Sequence, residues 1–312
     1  IVENFRAGAL GFFGLGYEEI AKVNPRVIYA SITGYGQKGP WQGRMAYAPT
    51  VQAETGFTQN SHSHYGAETA WQTDSLSHAD VYSGLQATIA LLAALHEREK
   101  TGKGQYIDVA MAATLIAINE KAHLELNDID LGDEPGVLGA TDCPFFRGPD
   151  DELFTVATSV VSSLTFRQYL AAMHRPDLAK DERFSSASAR RTNFDALHRI
   201  IQDWMLSFAD MKSLEAQLDE SKIAMGEVKS LRDLRESEWA EYWGAVQVVS
   251  DRNGGEIKLP GRPWKFSRSE LEPIGDPALQ GEHNYDVFAE LGFSAKEIED
   301  YHATGVLVGR VS

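Results

Sequence analysis

The sequence is short of cysteine, of basic charge and of long apolar runs, and each shortage narrows the field. A single cysteine, Cys143, in 312 residues rules out an intrachain disulfide and a zinc site built from several thiolates. It fits a reducing compartment, so a cytoplasmic protein is expected. The longest apolar stretch, Thr88 to Leu95, closes on His96-Glu97-Arg98-Glu99. That is far too short to span a bilayer, and no membrane partner is expected. Basic residues number 29 against 45 acidic ones, a net charge of -16. So acidic a surface repels phosphate backbones, which argues against a nucleic-acid partner. A local cluster such as Arg6, or Lys100 to Lys103, still suits a small anionic ligand. No signal-peptide pattern is visible, and the chain opens at Ile1 without methionine, so a preceding segment is expected to be missing.

What is present is ordinary for a mixed globular protein: 43% hydrophobic and 24% charged residues, enough chain for two domains. Tyr17 to Val23 predicts a helix stopped by Asn24-Pro25, and the β-branched run Arg26 to Ile32 a buried strand. Residues 57–76 lack periodicity and are expected to form a long loop. From Ala79 a strong helix runs to about Glu99, stopped by Gly102 and Gly104. Gln105 to Ala110 then predicts a strand and Ala112 to Leu126 a further helix, an order that suggests an α/β layer. The acidic stretch Asn127 to Gly139 is a plausible linker. Beyond it come a strand at Glu152 to Thr158 and amphipathic helices near 164–173, 193–207, 210–219 and 230–241. A strand at Val246 to Val249 follows, and a last helix begins at Ser294, where Ser294 and Glu297 have capping-box spacing.

Several motifs dissolve on inspection. Gly34-Tyr35-Gly36-Gln37-Lys38-Gly39 matches the dinucleotide fingerprint, but Pro40 and Trp41 follow where a phosphate-binding helix must open. A loop whose backbone approaches a ligand closely fits better. His62, His64 and His78 have no acidic partner at ligand-like spacing, and no metal site is expected. Asn127 to Gly132 has the wrong register for a calcium loop. Neither a G-x-S-x-G elbow nor a P-loop occurs, and Cys143 reads as a buried structural thiol.

Asp80 stands apart. It lies in Ser77-His78-Ala79-Asp80-Val81-Tyr82-Ser83-Gly84, where a polar loop turns into an apolar helix. A carboxylate in a first helical turn meets unpaired N–H groups and the positive end of the macrodipole, which favour the ionised, nucleophilic form. Local physics alone favours a first-turn charge with no chemical role.

The order of motifs along the chain changes that balance. Val2-Glu3-Asn4-Phe5-Arg6-Ala7-Gly8 resembles the E-N-F-R-P-G element of family III coenzyme A transferases, with Ala7 in place of proline. Asn24 to Pro40 is similar to that family's strand and glycine loop. Ala46-Tyr47-Ala48-Pro49-Thr50-Val51-Gln52-Ala53-Glu54-Thr55-Gly56 matches its G-Y-D-x-x-x-Q-A-x-S-G segment, with Ala48 for the usual Asp. Ala79 to Gly84 falls on its A-D-x-x-[ST]-G element, and His96 to Gln105 on its R-E-x-T-G-x-G-Q stretch. Pro263 to Ser267 and Gly281 to Gly292 resemble its closing motifs.

The resemblance implies an α/β fold: a nucleotide-binding-like large domain, residues 1–135 with its first strands absent, and a smaller α+β domain, 136–245. A C-terminal segment, 246–312, returns to the large domain, and two subunits interlock as a homodimer. It implies Asp80 as the carboxylate that attacks an acyl-CoA thioester. Asn4, Phe5, Arg6, Gly34, Tyr35, Gly36, Tyr47 and Gln52 are candidates for the CoA and acyl site, with Gly39 a further oxyanion candidate by position. The substrates would be an acyl-CoA and a carboxylic acid acceptor, with no permanently bound cofactor. α-Methylacyl-CoA racemase is the nearest alternative, but Tyr47 stands where that enzyme's pattern has histidine, and a phenol is a poor base at neutral pH. A non-catalytic CoA-binding homologue is the other. No glycine-rich run of the formyl-CoA:oxalate type lies between Gly132 and Phe154, which points away from an oxalate enzyme. His62, His64, Tyr65 and Trp71 precede Asp80 and read as loop packing.

Overall fold

The computed structural model describes residues 1–65, 71, 74–120, 122–127, 143–157, 159–272, 275–276 and 278–309, without the side chains of 62–65 and 124–125. The chain divides into two units, Ile1–Pro144 with Ala157–Ile201, and Phe145–Val156 with Gln202–Ser312. The expected domain boundary at 135/136 and the acidic calcium-like stretch from Asp128 onward lie outside the described residues.

The first unit is built on a parallel sheet of β1 (Val2–Glu3), β2 (Ile28–Thr33) and β3 (Gln105–Ala110), in that order. Strand β2 is the central one and is buried along nearly its whole length, as a parallel strand covered on both faces must be. Its register sets Val2 opposite Ala30 and Ile28 opposite Gln105. Between β1 and β2 lie the short α1 (Ala9–Phe12) and the helix α2 (Tyr17–Val23). Tyr17 of α2 meets Tyr106 at 5.3 Å and Tyr29 at 6.2 Å between ring centroids. This aromatic layer is pinned by the Tyr29 hydroxyl, which donates to the Leu15 carbonyl at 2.9 Å.

Between β2 and β3 come α3 (Ala48–Glu54), α4 (Phe57–Tyr65) and the long α5 (His78–Thr101). Helix α5 ends where Gly102 takes φ 74° and donates its N–H to the Arg98 carbonyl at 2.8 Å, an αL cap that a side chain resists. Gly104 is needed for a different reason, since a Cβ there would sit 1.8 Å from the Val27 carbonyl oxygen. After β3, α6 (Met111–Ile118) packs against α5 and α3. Ala48, Val51, Ala79, Met111 and Leu115 form a buried cluster joined by Ile32, Tyr35, Ala46 and Phe57.

Two expectations fail here. Residues 57–65 form helix α4 rather than loop, because Phe57 packs on that cluster and meets the His78 ring at 5.2 Å. Tertiary anchoring stabilises a segment with no helical periodicity of its own. The helix expected from Ala112 to Leu126 breaks at Asn119, which is extended (φ -76°, ψ 102°), and restarts as α7 (Ala122–Glu125). Asparagine favours such a stop because its side chain competes for backbone hydrogen bonds.

The strands β4 (Phe145–Arg147) and β5 (Leu153–Val156) belong to the second unit. In the first unit follow α8 (Ser163–Ala172), α9 (Ala187–Thr192) and most of α10 (Phe194–Met205). Here the Arg190 guanidinium is buried and donates to the Val161 carbonyl at 2.6 Å, the Phe184 carbonyl at 2.9 Å and Ser163 Oγ at 2.9 Å.

The second unit continues with α11 (Met211–Glu220), β6 (Met225–Glu227), α12 (Leu231–Leu234) and α13 (Glu238–Trp243). Its three-stranded sheet β4-β5-β6 is antiparallel. The single helix expected over 230–241 is instead α12 and α13, parted by Ser237. Its hydroxyl donates to the Leu234 carbonyl at 2.6 Å and accepts from Ala240 N–H at 3.2 Å, so it ends one helix and caps the next. A hairpin of β7 (Val246–Ser250) and β8 (Glu256–Pro260) follows, then α14 (Asn284–Glu290) and α15 (Ala295–Ala303). The capping box at Ser294 and Glu297 forms as its spacing predicts.

Tyr169 of α8 gives the first unit a pH signature. It is fully buried, and that burial drives its phenol far above the ordinary 10.0. The unfolded chain releases this proton above about pH 10 while the folded chain holds it, so the contribution is complete below that range and is lost as pH climbs. Thermal melts of wild type above about pH 10 should therefore fall more steeply than those of Tyr169→Phe.

Candidate active site

Parallel pairing aims the carboxyl ends of β1, β2 and β3 the same way, and a cleft of about 340 Å³ opens there. Asn4 follows β1, Gly34 follows β2 and Met111 follows β3, and all three line the cleft. A crevice beyond the carboxyl ends of parallel strands is where open α/β sheets bind ligands. The remaining wall comes from Phe5 and Arg6, from Tyr35 and Gly36, from the loop bearing Gln42, Arg44, Ala46 and Tyr47, and from Asp80.

The glycine loop is held by backbone and side-chain bonds. Gly36 takes φ 96° and gives its N–H to Thr33 Oγ1 at 3.0 Å, and Gln37 N–H donates to Asp108 Oδ2 at 2.9 Å. The Gly36 N–H is thereby committed within the protein. No helix opens after the loop; residues 36–43 run through turns and bends, as the Pro40-Trp41 sequence predicts. Gly34 has no room for a side chain, since a Cβ would lie 2.1 Å from that of Ala46. Across the loop, buried Glu3 accepts from Phe5 N–H at 2.8 Å and from Gln37 Nε2 at 3.3 Å, tying the Asn4-Phe5-Arg6 segment to the glycine loop.

Asp80 sits in the first turn of α5, exposed to the cleft, and its carboxylate has no hydrogen-bond or ion-pair partner among the described residues. Ser77, the N-cap, makes no side-chain cap. Gln52, buried on α3, does part of that work: its Oε1 accepts a long 3.5 Å bond from Ala79 N–H. Of the expected site residues, Gln52 and Gly39 lie outside the cleft lining, whereas Asn4, Phe5, Arg6, Gly34, Tyr35, Gly36, Tyr47 and Asp80 come together there. Gly39 lines a shallower neighbouring cleft with Arg6 to Ala9. His78 has an acidic partner after all, Asp74, four residues before it: Nε2 lies 2.9 Å from Asp74 Oδ2, and the ring stacks on Tyr82 at 5.8 Å. His62 and His64 lie among the side chains left undescribed, and no acid, histidine or cysteine cluster fit for a metal occurs among the described residues. Nor is any helix among them long and apolar enough to cross a membrane. Cys143 is half-buried rather than buried as expected.

The residue missed from sequence is Arg44. Its guanidinium carbon lies 4.7 Å from the Trp41 ring centroid and 5.3 Å from that of Tyr35, and it pairs with Glu54. Glu54 also accepts from the Tyr35 hydroxyl. Burial first, and Glu54 second, push the Tyr35 phenol above its usual range, so it stays protonated and donates. The only sequence signal for Arg44 was a cation isolated between two recognisable motifs.

With this geometry in place, comparison with known proteins is informative. The family model described as CoA-transferase family III matches residues 1–284. A formyl-CoA:oxalate CoA-transferase of Streptomyces coelicolor is 28% identical, over 98% of this chain and 78% of its own length. A succinyl-CoA–D-citramalate CoA-transferase of Chloroflexus aurantiacus is 26% identical, over 93% of this chain and 72% of its own. The crystal structure of a CAIB/BAIF family protein from Brucella suis superposes with a TM-score of 0.72 at 26% identity, covering 93% of this chain and 74% of that one.

Gly34→Ala tests whether the loop shapes the cleft. The added methyl must displace Ala46 and the adjoining Arg44 and Tyr47, at a cost of about 1–3 kcal/mol. Urea denaturation should show that loss, and a crystal structure of the variant should show residues 44–47 shifted.

Proposed function

The chain belongs to CoA-transferase family III, and on that premise we propose that it moves coenzyme A from an acyl-CoA to a carboxylic acid through covalent intermediates on Asp80. The observation that carries this is the Asp80 carboxylate at the helix start, without a partner among the described residues and lining the cleft where three parallel strands end. A carboxylate bound by cations would have its lone pairs occupied. One without such partners keeps its lone pairs open to attack a carbonyl.

The chemistry follows. Asp80 adds to the thioester carbonyl, the C–S bond breaks, and CoA departs as thiolate, leaving an aspartyl-acyl anhydride. The thiolate then attacks the Asp80 carbonyl and expels the first acid, giving an aspartyl-CoA thioester. The incoming carboxylate displaces the thiolate from that carbonyl and forms a second anhydride. Attack of the thiolate on the new acyl carbon releases the product acyl-CoA and restores Asp80. Splitting one transfer into activated steps conserves the thioester energy. Gly34, which lines the cleft with Asp80, is the favoured backbone contact for the oxyanions, because the Gly36 N–H is already taken.

Asn4, Phe5 and Arg6 fit a CoA contact by their place on the cleft wall, and Tyr47 an acyl contact. The relatives' names pair CoA transfer with oxalate and with D-citramalate; for this chain the acceptor is taken to be an organic acid. The same reading has it act as a cytoplasmic homodimer without a resident cofactor.

Incubation with a panel of acyl-CoA donors, a hydroxylamine quench and peptide mass spectrometry should place a donor-dependent hydroxamate on Asp80. Asp80→Asn should lose the adduct and at least about 10³-fold in turnover. Exchange of the α-proton with solvent, without an adduct, would point to racemase chemistry. CoA binding with neither signal would leave a non-catalytic homologue.

A further inference from the structure

We infer that Arg44 reads a second anionic group on the acid, so that the preferred substrates are dicarboxylates rather than simple fatty acids. This rests on the transferase reading above and deepens it.

The charged residues lining the cleft are Asp80, Arg6 and Arg44. An acid entering to react at Asp80 brings a second negative charge towards the first, in a protein whose net charge is already -16, so a cation must meet it. Arg6 lines both this cleft and its shallower neighbour, and its Nη2 donates to the Gly43 carbonyl at 3.3 Å. Arg44 lines the Asp80 cleft and is held in place from several sides. Trp41 and Tyr35 flank its guanidinium, and Glu54 takes one of its N–H groups.

Glu54 does not line the cleft. Its two oxygens are occupied, one by Arg44 and the other by Tyr35, so it anchors the cation without covering it. Among the described residues Arg44 has one hydrogen-bond acceptor for five donor N–H groups. The rest form the planar fork that binds a carboxylate bidentately. A plain surface ion pair would tie the loop to α3 equally well, but would leave acid selectivity unchanged. That difference makes the two separable.

The acids to compare are succinate and butyrate, which match in chain length and differ by one carboxylate, with acetyl-CoA as donor. Wild type should favour succinate, and Arg44→Met should lower the ratio of kcat/KM for succinate over butyrate by about 10- to 100-fold. Arg44→Lys should restore part of that ratio. Arg44→Gln replaces the methionine variant if circular dichroism shows the latter unfolded. An unaltered ratio in the folded variants would overturn the inference. Calorimetric titration of succinate and butyrate separates this from the parent reading. Absence of an Asp80 adduct in wild type would sink the transferase chemistry, whereas succinate binding lost in Arg44→Met would still assign the anion site. Equal succinate binding by wild type and variant would remove it.

Discussion

Strand β2 is held by parallel neighbours on both edges, and the site follows from that one constraint. Parallel strands need crossovers long enough to return the chain to the starting end, and here the crossovers carry α1 and α2 on one side and α3, α4 and α5 on the other. Every carboxyl end then opens on the same edge of the sheet. The backbone emerging from β2 runs directly into the glycine loop, and α5, which packs on β2 and β3, brings its amino end to the same place. The cleft is therefore a product of topology, and its side chains could be exchanged without losing its position.

Within the cleft region two carboxylates are treated in opposite ways. Glu54 is caged by a phenol and a guanidinium, and its role is to hold them. Asp80 meets only backbone dipoles, and its partners among the described residues amount to none. The cage occupies the lone pairs of Glu54, while those of Asp80, at a helix start, stay open. In a strongly acidic chain, confining the local cations to Arg6 and Arg44 gives the cleft a field that the mean charge would not suggest.

How much of this was legible in the sequence depends on whether local or tertiary forces dominate. Helix α5, its αL stop at Gly102 and the Ser294 capping box are local devices, and periodicity and turn chemistry state them openly. The place of Asp80 in a first helical turn was legible for the same reason. Helix α4 was not, because Phe57 and its seat on the cluster around Val51 hold it together. Asn119 and Ser237 broke helices that periodicity alone continued, since one hydrogen bond at a terminus outweighs a few tenths of a kcal/mol of propensity. The Arg44, Trp41, Tyr35 and Glu54 group spans a loop and a helix with no shared period, so nothing in the spacing announced it.

Gln52 carries the last step. It lies off the cleft, yet its amide oxygen meets the backbone one residue before Asp80, while Glu54, two residues further along α3, fixes Arg44. Residues i and i+2 project from different sides of a helix, and here one is buried and the other faces solvent. One short helix, seated by Ala48 and Val51 in the core, thus holds the backbone before Asp80 from one side and Arg44 from the other. On the proposed reading, α3 sets the spacing of Asp80 and Arg44, since its seat in the core fixes a contact to each. A ruler of that kind selects acids by length as well as charge, which a flexible loop bearing the same residues would not do.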